Sequence, residues 1–173
     1  MSSAARIILA IAAATMVAAF AAPAANAGLE EGPFHATQIH GEWQGALNLA
    51  CEASLEGEIQ DGGWNSDASG EITNVTYYDC DPPCAINVIT PLPVSVDPSG
   101  SFTMYDYDFS WHCPGMGEIP FTGPEIVGQW DCEDEGTLAF VNQVFYVGGM
   151  PAMVWNAEWH VEGLHLDGSK DCV

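Results

Sequence analysis

"ALNLACEASLEGEIQ" (residues 46–60) decides the fold. Leu47, Leu49, Cys51, Ala53, Leu55 and Ile59 share one parity, and Asn48, Glu52, Ser54, Glu56 and Glu58 share the other. That is a period of two, not the roughly 3.6 of a helix. It describes a strand with one buried and one solvated face, and Gly57 is the place for a bend.

The same period runs outward in both directions. In "INVITPLPVSV" (86–96), Ile86, Val88, Leu92, Val94 and Val96 fall on one side. Pro91 and Pro93 donate no ladder hydrogen bonds, so this segment reads as an edge or a broken strand, with Leu92–Val96 an exposed edge restrained from pairing mainly by charge. "DPSG" (97–100) is a turn signal. "SFTMYDYDFSWHC" (101–113) places Tyr105, Tyr107, Phe109, Trp111 and Cys113 on one face, whereas Phe102 and Met104 have the opposite parity, as if a bulge lay near Met104. Met153, Trp155, Ala157, Trp159 and Val161 alternate with polar residues in the same way. Further strands are expected at 34–40, 71–79, 126–131, 137–147 and 153–166. Short strands separated by Gly, Pro, Asn and Asp predict one all-β domain over 28–173, a disulfide-stapled antiparallel sandwich or flattened barrel of about 8–9 strands.

Residues 1–27 read as a cleaved signal peptide: Arg6, the apolar run Ile7–Phe20, then Ala25-Asn26-Ala27 before the cut. The expected product is secreted, periplasmic or extracellular. No later apolar run approaches the ~20 residues of a transmembrane helix. All 24 carboxylates lie beyond residue 27, and loss of Arg6 takes the formal charge from −22 to −23, with Lys170 the one remaining Lys or Arg. Such a surface repels phosphate backbones and anionic lipid, which sets nucleic-acid partners aside. Its first use is solubility.

The six cysteines, 51, 80, 84, 113, 132 and 172, read as disulfides in an exported chain rather than as zinc ligands. The pairing taken as a working model is 113–132, 80–84 and 51–172. Pro82-Pro83 argues against 80–84, because an extended backbone holds the two Cα atoms apart.

No G-x-S-x-G, H-E-x-x-H or phosphate loop is present, and the histidines at 35, 40, 112, 160 and 165 adjoin no nucleophile in sequence. Nothing nominates a catalytic residue, and the chain reads as non-enzymatic. Trp111, Trp155 and Trp159 belong to apolar faces and should be core. Trp43 and Trp64 lie beside glycines, where a ring either closes one end of the fold or offers a platform for a sugar or an apolar ligand. The clusters "YDCDPP", "YDYD" and "DCEDEG" read first as solvated turns. Second comes a calcium site from Asp106, Asp108, Asp131, Glu133, Asp134 and Glu135, should neighbouring strands bring them together. No cofactor is required.

The order of "LNLACEASLEGEI", "SGEITNVTYYDC", "ITPLPVSV", "CPGMGEIPFTGPEIVGQW", "LAFVNQVF" and "WHVEGLHLDG" resembles the PraB-like exported proteins, activators of alkane oxidation, over roughly residues 34–168. Val94 stands where that family often has Trp after Leu-Pro, and the extra acids and the Cys80/Cys84 pair also depart from it. The resemblance implies an exported all-β protein linked to hydrocarbon growth or the cell surface, and carries no catalytic residues. The function expected is binding of apolar or cell-surface material, or self-assembly. A carbohydrate-binding module and a small secreted hydrolase are the alternatives.

Overall fold

The computed structural model describes residues 29–45, 48–62, 67–131 and 136–164. All regular structure in them is β: β1 (Gly32–Gly45), β2 (Leu49–Asp61), β3 (Ala68–Asp81), β4 (Ala85–Val88), β5 (Leu92–Val96), β6 (Ser101–Tyr105), β7 (Phe109–His112), β8 (Glu118–Phe121), β9 (Glu125–Asp131), β10 (Thr137–Val147) and β11 (Met150–Glu162). Eight of these close an antiparallel barrel in the order β1-β11-β10-β9-β6-β5-β3-β2, and β4-β7-β8 form a separate small sheet.

The opening stretch behaves as its parity requires. Leu49, Cys51, Ala53, Leu55 and Ile59 are buried, while Glu52, Glu56 and Glu58 are exposed. Gly57 lies opposite Phe34, and the β2–β3 register slips beside it. A Cβ at Gly57 would collide with the Phe34 ring, so the bend and the missing side chain serve the same packing. Met153, Trp155, Ala157, Trp159 and Val161 point inward from β11.

One segment expected to be an edge or a broken strand is broken, and one expected to be a bulged strand is divided. Residues 86–96 become β4 and β5, and residues 101–113 become β6 and β7. The parity change expected near Met104 is a strand break at 106–108, where Asp106 takes a left-handed φ of 53°. Phe102 and Met104 point into the barrel, Tyr107, Phe109 and Trp111 are buried beyond the break, and Tyr105 between them is exposed. β5 is no edge: it pairs with β3 on one side and β6 on the other. The β5–β6 register begins at Val94, one residue after Pro93, so the proline's missing donor breaks no ladder with β6. The short strand β8, in a Gly- and Pro-rich stretch, was not expected from the sequence.

The breaks share one level. β4 runs into β5, β6 into β7 and β8 into β9, through residues 89–91, 106–108 and 122–124. β3 continues to Asp81 although β5 accompanies it only over Ala68–Ile72. β10 continues to Val147 although β9 accompanies it only over Thr137–Phe140. The small sheet occupies the wall above the short strands: β8 bridges to β10 at Thr122–Tyr146, and β4 packs alongside β3. The molecule is thus a two-storey barrel, with β5, β6 and β9 completing the lower storey and β4, β7 and β8 the upper.

The disulfides follow this plan and overturn the working pairing. Cys51 bonds Cys80, and Cys84 bonds Cys113. The bridges 80–84, 113–132 and 51–172 are therefore excluded, each having a partner already taken. Pro82-Pro83 keeps Cys80 and Cys84 apart, so one joins β3 to β2 while the other joins β4 to β7. Cys132 and Cys172 lie outside the described residues.

Candidate functional surface

Aromatic rings fill the interior. Trp43 lies 5.1 Å from Trp155 in a stacked arrangement, 5.0 Å from Phe109 and 5.3 Å from Phe145. Trp155 continues the packing to Phe140 and Trp159. The gap bounded by Leu55, Val75, Met104, Tyr107, Phe140, Trp155 and Trp159 has no room for a water molecule. The indole N–H groups of Trp111, Trp155 and Trp159 find no acceptor among the described residues, so ring packing holds these side chains. Trp43, nominated as an exposed platform, is 1% exposed and lies in this column. The reason is its register: facing Trp155 on β11 and Leu49 on β2, it points inward with both. Trp64 lies outside the described residues.

Two groups here were not legible in the sequence. Gln38 turns inward at a bulge in β1, where its Nε2 donates to the Cys51 carbonyl at 2.6 Å while its Oε1 has no partner. The hydroxyls of Tyr77 and Tyr107 meet at 2.8 Å where the storeys join. Burial raises the Tyr77 hydroxyl well above its usual 10.0, helped by repulsion from Tyr107 and by their hydrogen bond. Burial also raises Tyr107, against a lesser lowering by the same bond.

Of the proposed calcium ligands that are described, Asp106 and Asp108 lie apart from Asp131. Asp106 follows Tyr105, which faces Glu125 at the start of β9. Asp131 ends β9, facing Thr137. Six residues of strand between Glu125 and Asp131 span about 20 Å, far beyond one ion's coordination shell. Asp106 and Asp108 therefore belong to the level of the breaks and Asp131 to the bottom rim. Glu133, Asp134 and Glu135 lie outside the described residues. Among the described residues no group of three or more His, Cys, Asp or Glu is arranged to hold a metal. A cleft of about 270 Å³ opens at the upper rim, where the row Glu42–Ala50–Asp81 crosses three strands and the small Ala50 leaves a hollow between two acids. Asn48 and Gln44 complete its edge, and Gln44 Nε2 already donates to Glu42 Oε1 at 2.8 Å.

The outer wall is divided by charge. Every described Asp and Glu is at least partly exposed. β2 alone presents Glu52, Glu56, Glu58 and Asp61, and β3 adds Glu71, Asp79 and Asp81. β5, β6 and β10 carry no charged residue, and β9 has acids only at its ends. On that side Val127 is 41% exposed, Val141 62% and Val144 36%. Val127 precedes Gly128, which pairs Phe140, and Val141 follows Phe140, so the two valines lie just past the same end of the β9–β10 ladder. The polar groups of this wall are used internally. Gln143 Oε1 accepts from the Val127 N–H at 3.0 Å and Gln143 Nε2 donates to the Val141 carbonyl at 2.8 Å. Asn156 Oδ1 accepts from the Asn142 N–H at 2.8 Å, and Ser95 Oγ meets Tyr105 Oη at 3.0 Å. Such a wall costs less to dehydrate than one of free carboxylates.

A bilayer-spanning barrel turns apolar residues outward and polar ones in. Here tryptophans fill the interior and Glu52, Glu56 and Glu58 stand outside, the reverse arrangement. No helix among the described residues is long and apolar enough to cross a membrane. Comparisons with family models, with curated proteins and with solved structures find no match to this chain.

Proposed function

We propose that this is a non-enzymatic exported protein that adsorbs to apolar material outside the cytoplasm or at the cell surface, through the uncharged wall of β10, β9 and β6. The observation that carries the reading is the division of the barrel's exterior. Three exposed valines stand among internally bonded polar groups, with the acids of β2 and β3 on another side. Because the interior is filled, a ligand of any size binds outside. The acidic side keeps the adsorbed protein wetted and repels other copies. Two disulfides suit an oxidising compartment, and the signal-like residues 1–27 and the resemblance to PraB-like proteins support export and an apolar partner.

The test is partition of the purified protein between buffer and a liquid-alkane emulsion at neutral pH. The wild type should coat the droplets. Val127→Asp with Val141→Asp should reduce the bound fraction tenfold or more, as expected for charging about two valines' worth of apolar contact. Adsorption that is absent in the wild type, or unchanged in the double variant at unchanged melting temperature, overturns the reading.

A further inference from the structure

The upper storey is closed unevenly. Between β8 and β10 one bridge makes two bonds, Thr122 N to Tyr146 O at 3.0 Å and Tyr146 N to Thr122 O at 2.9 Å. Between β3 beyond Ile72 and β4 no ladder forms among the described residues. Two strand edges there lie side by side unzipped, although the chain passes from one to the other through only Pro82, Pro83 and Cys84. The disulfides do not cross this seam. Cys51–Cys80 fastens β3 to β2 on one lip, and Cys84–Cys113 fastens β4 to β7 on the other. The small sheet is thus a stapled unit beside a stapled barrel. Its three connections to the lower storey all lie at one level, which is the geometry of a hinge line, while residues 82–84 tether β4 to the end of β3 and limit how far the seam parts. Backbone bonds between Tyr107 and Gly123, at 2.9 and 3.1 Å, hold that line together.

We propose that β4, β7 and β8 form a hinged panel, which parts from β3 along the seam and opens as one unit while the rest of the barrel stays folded. The Tyr77–Tyr107 hydrogen bond is its latch, since it ties β3 to the hinge residues beneath the panel. Opening uncovers the faces of Trp43 and Phe145 that Phe109 covers when the panel is shut. The panel supplies Ile86, Phe109, Trp111 and Phe121 to the core, so the closed state dominates and the open one is a minor species. The inference stands apart from the apolar-surface reading, because it concerns the opposite faces of other strands.

Residue-resolved native-state hydrogen exchange on the intact, oxidised protein tests it. Amides bonded within β4–β7 and β7–β8 should share one opening, at least tenfold more frequent than that of the β1–β2 and β1–β11 ladders. Tyr77→Phe keeps the ring and removes the latch. It should raise panel exchange roughly fivefold, the worth of one net hydrogen bond, and raise the β1–β11 amides by the same factor, because whole-barrel unfolding breaks the bond too. Panel amides that exchange only with the whole barrel would overturn the panel. Panel exchange left unchanged by Tyr77→Phe while the barrel amides speed up would overturn the latch.

Discussion

β2 and β10 are built alike on the inside and differently on the outside. Each sends alternate side chains into the same core, Leu55 from one and Phe140 from the other, both nearly without solvent contact. Outward, β2 presents Glu52, Glu56 and Glu58, whereas β10 presents Ala139, Val141 and Val144. The inward pattern alone is enough to specify a strand of this barrel, and both strands satisfy it. The outward pattern is free of that constraint, so the difference between the walls reports what the surface is for.

The comparison is sharpened first by substitutions that ignore it. Leu55→Ala and Phe140→Ala should each cost about 3 kcal/mol or more in denaturant unfolding, the acidic and the uncharged wall suffering alike. A large inequality would mean that one wall is not part of the common core. Next, Cys51→Ser with Cys80→Ser should cost about 3 kcal/mol, since the bridge closes a loop across a sequence separation of 29 on the acidic side. Partition of the folded variant into an alkane emulsion should match that of the wild type.

Alkaline unfolding is the third effect. Tyr77 and Tyr107 have folded values above the usual 10.0, so the unfolded chain releases its protons first as pH rises. Their contribution is fully present below pH 10 and is lost above it, by up to about 1.4 kcal/mol per pH unit for each tyrosine. Urea midpoints from pH 9 to 11 should fall, and Tyr77→Phe should flatten the fall. A smaller effect belongs to Asp97, whose Oδ1 accepts from the Ser99 hydroxyl and from the N–H groups of Ser99 and Ser101. Partial desolvation raises its carboxyl, but the hydrogen bonds from Ser99 and Ser101 together outweigh this and hold it below 3.8. The turn's stability is therefore present above that value and lost as pH falls through the lowered one. Asp97→Ala should cost about 1 kcal/mol at neutral pH and little in acid. Smallest of all, Glu56→Gln and Val141→Thr should each change stability by less than about 0.5 kcal/mol. Only Val141→Thr should weaken adsorption to alkane. An equal loss from Glu56→Gln would break the contrast between the walls.

Alternation is a local property, and it was legible. Leu49 to Ile59 and Met153 to Val161 reveal their faces without help from the rest of the chain, because a pleated backbone points neighbours to opposite sides. The turn at Asp97–Gly100 was equally legible, since the hydrogen bonds to the Asp97 carboxylate come from residues at most four away. An all-β, disulfide-stapled sandwich or barrel follows from such elements. Pro82-Pro83 even contained the argument against a Cys80–Cys84 bridge.

What only the tertiary structure decided is which distant residues meet. Trp43 sits beside glycines in a turn-like stretch, and only its register with Trp155 and Leu49 turns it into the core. Asp106 and Asp131 look like partners in sequence, yet the length of β9 separates them. Cys51 finds Cys80 because β2 and β3 are adjacent, and Cys84 finds Cys113 because two strands break at the same level. The division of the exterior is decided in the same way. Each strand carries its own charges, but only the order of strands around the barrel gathers the acids of β2 and β3 on one side and the valines of β9 and β10 on another. Strand order depends on contacts across the whole chain, and a period of two says nothing about them.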